Sequence, residues 1–359
     1  MRDGSMIRPG TDDGRVTARQ MVGIAVGMVV MVGLAFVASP YHLFQLTMLV
    51  AYACAVLGLT ILTGINGQIS LGHGAFFAIG SYTSAILMAN YDWPYWATIP
   101  PAAVASALVG FLIGFPALRL GGLYLALTTF SLAVAVPQIL KVNALEGLTG
   151  GVQGLTTDKP DTPFDLPLSS DQWIYLFTLA IGAGVFLLGW NLARGRSGRA
   201  MMAVRDHPVA AEAMGINLAA MKTRTFAVSA MFTGIAGALS TIAVQFVAPD
   251  SFNFLLSITI FVGLVVGGVD SIIGALFGGA FIELVPNIAN DISKAAPGAI
   301  YGLILIGFMF LMPRGVAGAL SGLGRRITGW RRPLVDVPPV AVSVGPAPDS
   351  ATARSGQQR

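Results

Sequence analysis

Apolar stretches of about twenty residues recur along most of the chain, and no other feature narrows the possible folds so far. A hydrocarbon core about 30 Å thick is crossed by roughly 20 apolar residues of α-helix, so the number of such runs sets the number of crossings. Read with their breakers, the runs predict spans near 21–38, 42–63, 69–89, 96–118, 121–140, 173–193, 224–247, 253–268, 272–290 and 297–312. The expected fold class is all-α, a polytopic integral membrane protein of about ten transmembrane helices. Composition agrees: 11% of the residues are charged, whereas soluble domains carry about a quarter.

The basic residues then give the chain an orientation, because Lys and Arg accumulate in short cytoplasmic loops. With the N-terminus inside, eighteen of the 21 Lys and Arg residues fall on the inner side, among them Arg119, the group from Arg194 to Arg224, and those from Arg314 onward. Lys141, Lys159 and Lys294 fall outside. Both termini are therefore expected in the cytoplasm. The implied organisation is a cytoplasmic tail over 1–20, a transmembrane domain over 21–320 and a cytoplasmic tail over 321–359, disordered from about Pro333. The polar, mixed-charge N-terminus does not resemble a cleaved signal peptide. A net charge of +4 sorted by side of the membrane is no footprint for nucleic acid. Cys54 alone allows neither an internal disulfide nor a cysteine metal cluster and reads as a small buried residue.

Three segments break the apolar pattern. The largest outer loop, 142–172, is acidic and turn-rich, and its Thr149, Gly150, Gly151 and Gly154 lie in a run with too many glycines for a helix. That run is either a flexible loop or a shaped surface where backbone approaches closely. At 64–76, Gly64, Gly67, Gly72 and Gly74 alternate with Asn66, Gln68, Ser70 and His73 at the start of a predicted span. Irregular backbone at membrane depth needs cover from protein or a water-filled cavity, so this segment is expected to face the bundle interior as a re-entrant or broken helix. Asn66, Gln68, Ser70, Gly72, His73 and Gly74 are accordingly candidates for a translocation path. No second His, Cys or carboxylate stands at ligand spacing from His73, so no metal is expected there. The small-residue segment 267–279 reads as tight helix packing, and Glu283 beyond it is a carboxylate deep in an apolar span, a further path candidate. Spans 2–5 and 7–10 align as two sets of four in inverted topology, an arrangement that places a substrate route at the midplane.

The cytoplasmic loop 194–224 has helix punctuation of its own. Pro208 suits a first helical position, Gly215 the residue past a helix end, and Asn217 the cap of the next helix. The result is a helix of about two turns that must dock to be stable. Ala211, Met214 and Val204 or Ile216 are its apolar contacts, with Arg205 and Glu212 at its edges. It can lie on lipid headgroups or fit a groove on a soluble partner.

Taken together, 66–77, Thr149 to Leu155, Gly198 to Ile216 and 267–274 resemble the LivM-type permeases of branched-chain amino acid ABC importers, over roughly residues 40 to 320. Ala211, Glu212 and Ala213 with Gly215 look like that family's shortened coupling loop, the element that docks on ATPase subunits. The resemblance implies a permease in the bacterial inner membrane that forms half of a path for Leu, Ile and Val, or for a related small amide or carboxylate. Its implied partners are a second, LivH-like permease, two cytoplasmic ATPases, an extracytoplasmic binding protein and membrane lipid. Arg205, Pro208, Ala211, Glu212, Ala213 and Gly215 become the residues expected to couple the chain to its ATPases. The chain has no Gly-x-x-x-x-Gly-Lys-Ser/Thr loop, so ATP is expected on partner subunits and no cofactor on this one. The rival reading is an ion-coupled secondary transporter with its ion in the break at 64–74; few acidic residues lie in the spans to serve it. A membrane enzyme would need converging catalytic groups, and His73 with Glu283 does not supply them.

Overall fold

The computed structural model describes residues 18–117, 122–162, 167–292, 294, 296–312 and 315–320. Arg119, Arg314, nearly all of the N-terminal tail and the whole of 321–359 lie outside the described residues. In chain order the helices are α1 (Ala18–Val37), α2 (Pro40–Leu59), α3 (His73–Tyr91), α4 (Ile99–Ala117), α5 (Leu123–Leu140) and the single turn α6 (Glu146–Thr149). They continue as α7 (Ser170–Arg194), α8 (Arg196–Asp206), α9 (Pro208–Ala213), α10 (Leu218–Val244), α11 (Phe254–Gly267), α12 (Ile272–Ile292) and α13 (Pro297–Leu311). Two dipeptide strands, β1 (Leu155–Thr156) and β2 (Phe246–Val247), pair antiparallel.

Each predicted span has a helix, and the boundaries move for local reasons. Asn217 caps α10 by accepting from the Ala220 N–H, so that helix begins well before the predicted 224. Ser169 and Gln172 form a reciprocal capping box that starts α7 ahead of 173. α3 starts only at His73 because Gly72 is not helical. Among the described residues, eight helices are long and apolar enough to cross a membrane rather than the ten expected: α3 is not one of them, and α1 counts only as a shorter apolar helix over Val26–Val37. α3 can be poorer in apolar residues because it is sheathed by α4 and α10 and presents little of itself to lipid. Its Ser81 and Ser84 are fully buried and hydrogen-bonded to the Gly237 carbonyl and to Thr98.

The helices pack in an exchange pattern. The first helix of each set of four lies against the third helix of the other: α10 against α4, and α2 against α12. α2 and α10, the two first helices, pack on each other at the centre. Lipid tails are as apolar as leucine, so such contacts depend on close van der Waals approach rather than on a hydrophobic drive. α10 supplies it with Ser229, Ala230, Thr233, Gly234 and Gly237, all buried. At the crossing with α3, a Cβ on Gly80 would overlap the Gly234 carbonyl, so only glycine permits that approach. α13 lies at the edge, with Leu303, Phe310 and Leu311 at least 71% exposed, as suits a lipid-facing helix.

Candidate functional site

The break after α2 is a continuous hydrogen-bonded structure. α2 runs on into a π-helical turn, Thr60–Ile65, closed by Asn66 N–H to the Ile61 carbonyl at 3.2 Å and Gln68 N–H to the Leu62 carbonyl at 3.1 Å. Such turns widen the helix and recur at functional sites. Gly67 then reverses the chain with φ +73°.

His73 stands at the centre. Ser229 Oγ donates to the Gly58 carbonyl at 2.7 Å, so toward His73 Nε2, also 2.7 Å away, it acts as acceptor and the proton lies on Nε2. Nδ1 is then the acceptor for Ser70 Oγ at 3.3 Å, while Ser70 Oγ itself accepts the Gly72 N–H. The backbone on either side is held from other helices: Leu71 N–H by Thr129 of α5 and Gly74 N–H by Ser257 of α11, both at 2.9 Å. Gln68 Nε2 reaches the Lys222 carbonyl of α10 at 3.4 Å. The break is thus tied to α5, α10 and α11.

Asn66, Gln68, Ser70, Gly72, His73 and Gly74 are all buried, so within this chain they form a packed junction rather than the wall of an open channel. The Asn66 carboxamide, 2% exposed, has no hydrogen-bond partner. Glu283 does not join this junction. It lies half-buried on α12, where Asn287 Nδ2 donates to its carbonyl and to its carboxylate Oε1. Among the described residues no group of three His, Cys, Asp or Glu side chains could hold a metal ion.

The loop after α7 brings a second break to the first. α8 is amphipathic, burying Gly198, Met201 and Val204 while Arg196 and Arg199 face out. Sequence reading passed over α8 because its arginines hide the apolar positions; the spacing of Gly198, Met201 and Val204 was the available signal. Arg205 at its end donates to the Gly64 carbonyl at 2.6 Å and to Asp270 Oδ1 at 2.9 Å, joining the π-helical turn to the α11–α12 turn. Its hydrogen bond to Asp206 raises its pKa above the ordinary arginine value, opposed by partial burial. α9 follows with Pro208 at its first position and Gly215 at φ +84° past its end. The Gly215 and Ile216 N–H groups bond back to the Glu212 and Ala211 carbonyls, a Schellman closure. Ala211 is turned inward at 4% exposure and so lacks the outward contact that sequence reading gave it, whereas Arg205 is hydrogen-bonded within the chain and still exposed. The surface α9 presents is instead Val209 and Met214, 81% and 84% exposed, with Glu212 and Ala213. Beside it Glu212, Gly215, Asn217 and Lys222 line an open hollow of about 480 Å³.

On the opposite face the glycine-rich run takes a defined, hydrogen-bonded conformation. Thr149 Oγ1 donates to the Leu140 or Leu145 carbonyl and accepts the Gly151 N–H. Gly150 ends α6 at φ +71°, and Gly154, at φ +79°, leads into β1. Leu155 pairs with Val247 and Thr156 with Phe246, while Lys141 bridges to Asp250 and Asn90 to the Leu148 carbonyl. The loop is fastened to both sets of helices.

A family described as the permease component of branched-chain amino acid transport systems matches residues 41–312, more than half of the chain and including both breaks and α9. The high-affinity branched-chain amino acid transport system permease protein LivM of Salmonella typhimurium is 31% identical, over 84% of this chain and 75% of its own length. LivM of Escherichia coli is 30% identical over the same shares, and LivH of Salmonella typhimurium is 24% identical over 74% of this chain and 91% of its own. No solved structure matches. The helical membrane fold and these likenesses place the chain in the family of permease components of branched-chain amino acid transport systems.

Proposed function

We propose that this permease is the LivM-type half of an ATP-binding cassette importer that carries Leu, Ile and Val across the bacterial inner membrane. It pairs with a LivH-like permease, rests on two cytoplasmic ATPases and receives ligand from an extracytoplasmic binding protein. The observation that carries this reading is α9: a docked six-residue helix whose inner side is Ala211 and whose outer side is Val209 and Met214. A side chain as apolar as Val209 at 81% exposure, next to charged Glu212, suits a groove on a soluble protein. ATP bound by those subunits supplies the work, and closure of the pair displaces α9. The half-path then lies on the outer surface of this chain, against the second permease, since Asn66, Gln68, Ser70, Gly72, His73 and Gly74 are packed inside it. In this reading the side bearing α8 and α9 is cytoplasmic, as are both termini.

The ion-coupled alternative loses ground at the same place. Its ion site would lie in the break, where the side-chain partners are the neutral Ser70, His73, Thr129, Ser229 and Ser257 and the cationic Arg205, and Glu283 is bonded elsewhere.

The test is co-purification. With the four partner subunits co-expressed, the tagged chain is expected to bring down the ATPases and the second permease together. Val209→Asp combined with Met214→Asp should release the ATPases, keep the second permease and leave the chain folded by size-exclusion profile. Retention of the ATPases by that double variant would remove α9 from the docking site.

A further inference from the structure

Three backbone segments meet at the Arg205 guanidinium. Nη1 donates to the Gly64 carbonyl at 2.6 Å and to Asp270 Oδ1 at 2.9 Å, and Nε donates to Asp206 Oδ1 at 2.9 Å. The stem is seated as closely as the head: a Cβ on Gly67 would stand 2.5 Å from Arg205 Cγ, so glycine there makes room for it. Gly64 in turn abuts the Val269 carbonyl, so the two breaks also touch each other beneath the arginine.

Each segment leads to a different helix. The π-helical turn and Gly67 lead into α3; Asp270 leads into α12, which packs on α2; Arg205 ends α8, directly before α9. The ion pair to Asp270 adds little to stability, because that carboxylate is 78% exposed and water screens it. A planar fork with several fixed donors nevertheless sets distances between the groups it joins. This geometry suits position more than stability.

We propose that Arg205 is a positioning residue, a strut that carries displacement of α9 to both breaks at once so that α3 and α12 move together. The proposal rests on the importer reading for its driving force and extends it from where energy enters to how it reaches the membrane helices. It assigns Arg205 to contacts within the chain rather than to an ATPase.

The test uses the assembled importer in proteoliposomes, comparing wild type with Arg205→Ala, Arg205→Lys and Asp270→Asn. Arg205→Ala is expected to assemble and to keep basal ATP hydrolysis, but to lose stimulation by ligand-loaded binding protein and about tenfold of uptake, within the usual range for coupling between sites. Arg205→Lys should recover part of the stimulation. Asp270→Asn alters an exposed group, cannot disturb folding and should lower stimulation by a smaller factor. Amide hydrogen exchange without nucleotide gives a second readout: Arg205→Ala should speed exchange in both 64–72 and 268–271. Wild-type stimulation and uptake in Arg205→Ala would overturn the proposal. Should Arg205→Ala fail to assemble, wild-type stimulation in both Arg205→Lys and Asp270→Asn would overturn it equally. Absence of ATP-driven uptake in the wild-type complex would remove the importer reading instead, and the exchange experiment would still decide whether Arg205 holds the two breaks.

Discussion

His73 opens α3 at the end of the break and faces α10, with both ring nitrogens hydrogen-bonded to serines. Buried polar groups without partners are costly, by about 1–3 kcal/mol each. His73→Ala would strand the Ser70 hydroxyl and open a cavity, so the expected result is a loss of about 2–4 kcal/mol, read as a lower thermal unfolding midpoint in detergent. His73→Asn, which keeps a donor and an acceptor, should lose less. An unchanged midpoint with abolished transport would instead mark His73 as a group that acts on the substrate or on protons. The sequence marked this residue by crowding polar and small side chains into an apolar run. It could not name the partner, because Ser229 stands 156 positions away and serine in an apolar helix carries no distinguishing signal. Arg205 was visible as a charged edge, but its inward turn depends on a carbonyl and a carboxylate from two other segments.

Among the elements, the loop from α7 to α10 was read best where chain chemistry is local. Pro208, Gly215 and Asn217 take the helix-start, helix-end and capping positions their residue types favour. α8 was missed because its arginines hide the apolar spacing of Gly198, Met201 and Val204. Sidedness is also an element-scale matter. Arg205 and Gln68 gather 64–68, the α8–α9 loop, the start of α10 and Asp270 on one face, while Lys141, Asn90 and the β1–β2 pair gather 90, 141–156 and 246–250 on the other. With the α8–α9 face in the cytoplasm, an impermeant maleimide should label Asp158→Cys in intact cells and Arg196→Cys only after permeabilisation. Cys54 is buried and gives a low background. The opposite labelling pattern would invert the orientation.

At the scale of the molecule, two four-helix sets pack first helix on third, α10 on α4 and α2 on α12. In this order the break between α2 and α3 corresponds to the segment between α10 and α11, on the opposite face. The α11–α12 turn, similar to the first break in its small residues, is its neighbour through Arg205 and not its repeat equivalent. Helix positions and the membrane class were legible from apolar runs alone, whereas this pairing was not, since glycine and alanine record closeness without recording to what. In the proposed reading the path runs along the outer surface of the chain, and a single copy is half a transporter without a motor. The most direct measurement is uptake of radiolabelled leucine into proteoliposomes holding this chain with its LivH-like partner, both ATPases and the binding protein. The account predicts uptake that requires ATP inside the ATPase compartment and the binding protein on the other side, and that persists after ion gradients are collapsed. Uptake by this chain alone, driven by a proton or sodium gradient without ATP, would contradict it.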